Sequence, residues 1–144
     1  GWNNVRCPNY AAQEQITFRT GPGRFEPGTY NLLGIVGLKA ALELLLELGV
    51  ENIAAELLRK RAGLVPALQA KGYVVLNADV PVANASGIVS FHKPGQDMAA
   101  LHEKLTAANI ITSLRTDRAG QRYIRLSPHF YNTDDELRRV VELL

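Results

Sequence analysis

From Leu32 to Leu48 the chain is apolar at nearly every position except Lys39, Glu43 and Glu47, which are spaced four apart, so the pattern predicts a helix with one wet stripe. A helix apolar on its other faces needs cover from several directions, and a further domain or a partner subunit is expected against it. Gly49 stands where a C-cap belongs, and Glu51 to Lys71 resumes helical spacing through Ile53, Leu57, Leu64 and Leu68. Pro66 is expected to kink or divide that second helix. Tyr73 to Leu76 and Ile88 to Phe91 are short β-branched runs bounded by Gly, Asn and Pro, and predict strands. Met98, Leu101 and Leu105 place a helix over Asp97 to Asn109, after which Ile110 to Ser113 reads as a strand. The turn Thr116 to Gly120 and the alternating Tyr123 to Leu126 complete a hairpin. Thr133, Asp134, Asp135 and Glu136 form a capping box that opens a last helix, with Leu137, Val140, Val141 and Leu144 inward. Helix, helix, strand, strand, helix, strand, strand, helix predicts an α+β fold, a small mostly antiparallel sheet packed against helices. Residues 1–31, with Pro8, Pro22, Pro27, Gly21, Gly23 and Gly28 and no sustained period, read as an extended arm, and residues 32–144 as the domain proper.

Composition narrows the classes. The 144 residues are 47% apolar and 21% charged with a formal net charge of +2, the profile of one ordinary domain that buries its own core. That charge implies no nucleic acid, and no apolar run reaches membrane-spanning length. A single cysteine, Cys7, makes no internal disulfide, so a reducing compartment and the cytoplasm are expected. His92, His102 and His129 lack metal-ligand spacing, and no phosphate-binding Walker loop or serine nucleophile motif occurs. His92-Lys93 runs straight into the turn residues Pro94-Gly95 and carries no site by itself. The chain opens Gly1-Trp2 and stops while an amphipathic pattern is still running, as expected of a piece of something longer.

Two places could hold an anion. Arg115, Arg118, Arg122 and Arg125 fall within eleven residues, and a guanidinium fork suits a carboxylate or phosphate better than an ammonium does. Arg125 lies between Ile124 and Leu126, and Arg115 where the first hairpin strand ends, so both could face one anion; Arg118 and Arg122 read as turn residues on solvent. Gly28-Thr29-Tyr30-Asn31 stands just ahead of the apolar helix, where unpaired N–H groups and the helix dipole favour negative charge. The residues alone favour the plainer reading, in which Thr29 or Asn31 simply caps the helix.

The segments Arg24 to Asn31 and Ile124 to Thr133, about a hundred residues apart and flanking the two long helices and the Ser86 to Phe91 strand, together resemble the C-terminal part of class V aminotransferase-family enzymes. These are pyridoxal phosphate enzymes of fold type I, among them cysteine desulfurases, selenocysteine lyases and isopenicillin-N-epimerase-like proteins. The resemblance implies the small domain of such an enzyme, working on a small amino-acid substrate as a homodimer and beside its own missing large domain. It implies that Arg125 grips the substrate α-carboxylate, that Arg115 is a second arginine near the substrate, and that Gly28 and Thr29 reach the cofactor phosphate of the neighbouring subunit. The lysine that carries the cofactor belongs to the large domain, so no catalytic residue is expected in this chain. Cysteine desulfurases carry a sulfur-accepting cysteine between the positions of Arg115 and Arg125, and this sequence has none there. A different reading of the residues alone is a free-standing module that uses the arginine hairpin for an acidic partner.

Overall fold

A computed structural model describes residues 1, 3–6 and 16–144; Trp2 and Cys7 lie outside the described residues. Two compact units emerge, Gly1–Glu47 and Leu48–Leu144.

In the first unit the arm folds back on itself. Val5 pairs with Phe18 in an antiparallel bridge, and the Asn4 amide donates to the Arg24 carbonyl at 3.2 Å, fastening the arm to a 3-10 helix at Gly21–Phe25. Helix α1 then spans Leu32–Leu48, the range its apolar pattern predicts. None of its residues is buried, and Leu33 is 88% and Leu46 70% exposed, so the described residues of its own unit do not supply the cover that the pattern demands.

The second unit begins with α2, Val50–Ala70, which runs unbroken through Pro66 rather than dividing there. A proline inside a helix removes one donor, and the carbonyl deprived of it belongs to the exposed Ala62, where water can serve it. Leu64 and Leu68, on either side, are buried and hold the axis. Strands β1, Val74–Val75, β2, Val89–His92, β3, Ser113–Thr116, and β4, Arg122–Leu126, form one antiparallel sheet in the order β1-β2-β4-β3. Helix α3, Met98–Ala107, is capped by Asp97, which accepts from the Ala99 and Ala100 amides. Helix α4, Asp134–Leu143, opens on the predicted capping box of Thr133 and Glu136.

One strand is displaced from its expected place. Ile110 to Ser113 is not a strand; the ladder begins at Ser113, where that run ends. Asn109 takes a left-handed conformation at φ 60°, and the Ile110 amide turns back to the Leu105 carbonyl at 2.9 Å, so Ile110 closes the end of α3. Ile111, 97% exposed, crosses to the sheet unpaired. Arg115 therefore lies within a strand and not at its end. Likewise β1 is shorter than Tyr73 to Leu76, because the Tyr73 amide bonds back to the Leu68 carbonyl and Asn77 bends away at φ 53°.

Alternate strand positions Val75, Val89, Phe91, Ile124 and Leu126 meet Leu64 and Leu68 of α2, Met98, Leu101 and Leu105 of α3, and Val140 of α4 in one core. Each fully buried side chain of this kind contributes roughly 1.5–3 kcal/mol. All three helices of this unit thus lie on one face of the sheet, an α+β fold in two layers, and the opposite face of the sheet carries no helix of the unit. No helix among the described residues is long and apolar enough to cross a membrane.

Candidate functional site

Because strand side chains alternate, the register decides which residues share the helix-free face. Ser90 stands opposite Arg125, and Arg125 opposite Ser113, giving one row across β2, β4 and β3. One rung along, Val74 stands opposite His92, and Tyr123 opposite Arg115. His92 and Tyr123 close that second row, with ring centroids 5.0 Å apart and planes at 77°. Arg115 and Arg125 are consequently diagonal neighbours on one surface, a relation that sets residues about 7–8 Å apart with their Cβ atoms somewhat closer.

Arg125 is half-buried between two small side chains, Ser90 and Ser113. Its Nε is sealed from solvent without a hydrogen-bond acceptor. Among the described residues no carboxylate lies within ion-pairing distance of Arg125 or of the exposed Arg115. Two guanidinium groups thus share a surface to which the described residues bring no counter-charge, and the chemistry of that pair suits a carboxylate or phosphate. The nearby hairpin turn is internally satisfied. Asp117 Oδ1 accepts from the Ala119 and Gln121 amides, both at 2.9 Å, and Oδ2 accepts from the Tyr123 hydroxyl at 3.2 Å. Burial, reinforced by that bond to Asp117, pushes the Tyr123 hydroxyl above its ordinary pKa. Gly120 supplies the left-handed turn residue at φ 84°. Arg118 is exposed, and Arg122, also exposed, approaches Asp97 at 4.0 Å; both face solvent as the turn pattern suggests.

Gly28 and Thr29 belong to the other unit. The open question of which residue caps α1 has an answer there: Asn31 Oδ1 accepts the Gly34 amide at 3.0 Å. The Thr29 hydroxyl makes no hydrogen bond among the described residues, and Thr29 is exposed. Tyr30 braces the turn, donating its hydroxyl to Glu26 at 2.9 Å and accepting from the Asn3 amide at 3.2 Å. An uncommitted hydroxyl ahead of a helix N-terminus fits one edge of a phosphate group.

The lysines do not fit the other end of such a cofactor. Lys39 pairs with Glu43, and the buried Lys60 with Glu56, while Lys93 and Lys104 donate to the carbonyls of Lys71 and Leu143. Lys71 is an exposed cap residue at the end of α2. A cleft of about 340 Å³ bordered by Ile111, Pro128, Leu137 and Arg139 lies away from the paired arginines, neither of which lines it.

Three residues beside Arg125 go unremarked in the sequence: Ser90, Ser113 and Tyr123. Their signal is the period-2 alternation with the core residues Val89, Phe91, Leu114 and Ile124, but only the register brings the three strands together. His92, which from sequence carries no site by itself, joins them.

Comparison with known proteins places the fold and the family. The model for class V aminotransferases matches residues 4–140. A Xylella fastidiosa (strain 9a5c) protein named "Probable cysteine desulfurase" is 31% identical over 136 residues, covering 88% of this chain and 32% of that protein. The cystine C-S lyase C-DES, solved in complex with its reaction product cysteine persulfide, matches with a TM-score of 0.75 and 27% identity over 99% of this chain and 36% of its own. The apo cysteine desulfurase of Thermococcus onnurineus NA1 shares the fold with a TM-score of 0.84 at 19% identity, covering 99% of this chain and 37% of that one. The chain therefore spans about a third of the length of the relatives it matches.

Proposed function

Because the chain belongs to the class V aminotransferase family, whose members depend on pyridoxal phosphate, we propose that it is the small-domain part of such an enzyme acting on an amino acid. The observation that carries this reading is the state of Arg125: half-buried, set opposite Ser90 and Ser113 in the sheet, and without a carboxylate partner among the described residues on a face that no helix of its unit covers. A guanidinium in that setting offers two parallel donors to a substrate α-carboxylate and orients the α-carbon by a bidentate grip. Arg115, on the same face, adds positive charge that draws the substrate in.

Gly28 and Thr29 reach toward the cofactor phosphate of the paired subunit in a homodimer, with the Thr29 hydroxyl and the N-terminal end of α1 as the binding groups. The cofactor, when bound, supplies an electron sink for the substrate's α-carbon. The lysine that holds it, and the surface that covers α1, come from the remaining two thirds of a protein the length of the relatives. A relay of sulfur to a thiol on the β3–β4 turn is not part of this reading, since residues 116–122 include no cysteine.

Arg125→Ala and Arg118→Ala in the full-length enzyme test the assignment. Loss of a bidentate pair in a closed site costs about 2–5 kcal/mol in kcat/KM, whereas a solvated turn arginine contributes about 0–1. Equal kcat/KM values for the two variants overturn it.

A further inference from the structure

Arg115 has an acid within reach on its own side of the hairpin. Asp117 follows it by two residues, the interval that returns to the same face of a strand after about 7 Å. The hydrogen bonds agree, because Tyr123, directly opposite Arg115 and so on its face, meets the Asp117 carboxylate with its hydroxyl. A guanidinium and a carboxylate so placed are able to pair, and pairing would take the Arg115 fork away from any ligand. No ion pair joins these two residues.

Asp117 is held elsewhere. Its Oδ1 accepts from the Ala119 and Gln121 amides, and its Oδ2 accepts from the Tyr123 hydroxyl at 3.2 Å. The turn amides account for one oxygen, so the hydroxyl is what retains the other. On the side of Tyr123 away from β3, the His92 ring stands edge-on at 5.0 Å and braces the phenol from behind. Burial, and after it the bond to Asp117, raises the Tyr123 hydroxyl above its ordinary pKa, so it remains a donor at neutral pH.

Resting on the reading of Arg115 as the arginine that draws the substrate in, we propose that Tyr123 is a positioning residue that keeps Arg115 available: by donating to Asp117 it holds that carboxylate in the turn and out of an ion pair with Arg115. Loss of the hydroxyl frees Oδ2 to turn toward Arg115 and compete with the substrate carboxylate. Phenylalanine at position 123 keeps the ring against His92 and removes only the hydroxyl.

L-Alanine, which has an α-carboxylate and no charged side chain, is the probe, titrated by calorimetry into the full-length enzyme loaded with its cofactor. Tyr123→Phe should weaken alanine about three-fold, the scale of one partly solvated ion pair, and the loss should shrink with added salt. Asp117→Asn keeps an acceptor for the turn amides but cannot pair with a guanidinium, so Tyr123→Phe with Asp117→Asn should return to wild-type affinity. If the hydroxyl merely stiffened the hairpin, the double variant would bind no better than the single one. In an Arg115→Gln background Tyr123→Phe should have no further effect, since it acts through Arg115. A second readout needs no ligand: phenylglyoxal, which modifies free guanidinium groups, should label Arg115 about three-fold more slowly in Tyr123→Phe and at the wild-type rate once Asp117→Asn is added. Unchanged alanine affinity and labelling in Tyr123→Phe, or a loss that persists with Asp117→Asn or Arg115→Gln, overturns the proposal. Arg125→Ala and Arg115→Gln alone are the controls for the reading beneath it: if both bind alanine as the wild type does, that reading fails, whatever Tyr123→Phe shows.

Discussion

Arg125 and Arg115 project from one face of two adjacent antiparallel strands without sharing a rung: Arg125 is set against Ser113, and Arg115 against Tyr123. Diagonal placement keeps the like charges out of direct contact while leaving both open to the same ligand. A one-residue slip of β3 would send Arg115 to the core face, so this relation depends on the register of the hairpin. Residues 117–121 hold that register, through the Asp117 amide donating to the Gln121 carbonyl at 3.0 Å and the Gly120 amide to the Asp117 carbonyl at 3.1 Å.

Lysine at position 125 should restore only part of what alanine loses. An ammonium keeps the charge but presents no planar fork, and the flanking Ser90 and Ser113 are too small to steer a flexible stem. In the full-length enzyme Arg125→Lys should fall between wild type and Arg125→Ala in kcat/KM; full recovery would show that charge alone suffices.

Arg61 should prove to be a structural staple. It is 7% exposed, donating to the Ile88 carbonyl at 3.0 Å and to the Asn77 carbonyl, so it fastens α2 to the start of β2 and the end of β1. Arg61→Ala strands two carbonyls and should cost about 2–4 kcal/mol. Urea unfolding gives the check through a lower midpoint at unchanged m. Arg138→Ala, at a solvent-facing ion pair with Asp135, should change stability by less than about 1 kcal/mol.

Acid should loosen the α2–α4 contact in a defined window. Hydrogen bonds from Arg59, and then from Lys60, hold the Glu56 carboxyl at about 2 against an ordinary 4.5. Asp134, at the start of α4, is lowered mainly by its bond to the same Arg59. A carboxylate whose folded value is depressed stabilises the fold above its unfolded value, and that contribution disappears as pH falls through the folded value. Stability should therefore drop between about pH 4.5 and pH 2, and Glu56→Gln should flatten the slope there. An unchanged slope in the variant, measured by denaturant titration at each pH, would contradict the assignment.

The 144-residue chain should self-associate. Leu33 at 88%, Leu46 at 70% and Val36 at 65% exposure make α1 a longer apolar surface than a stable monomer keeps open. Sedimentation velocity over a wide concentration range should show a rising average mass, and Leu33→Glu with Val36→Glu should suppress it. A strictly monomeric wild type that binds no hydrophobic dye would mean that the helix is covered after all.

What the sequence determined by itself follows from local physics. The bounds of α1 were legible in its apolar run, the α4 cap in Thr133 and Glu136, and the inward face of β4 in its alternation, because period and capping are properties of neighbours along the chain. The guanidinium chemistry that marks Arg125 and Arg115 is likewise a property of the residues themselves. Tertiary structure decided the rest. Ile110 and Ile111 look like a strand by their side chains, yet Asn109 turns left-handed and the β4 ladder meets β3 only from Ser113, so pairing overrode propensity. The company Arg125 keeps, Ser90 and His92 from one strand and Ser113 and Arg115 from another, depends on strand order and register. Hydrogen bonds between segments far apart in sequence set both, and no local pattern encodes them.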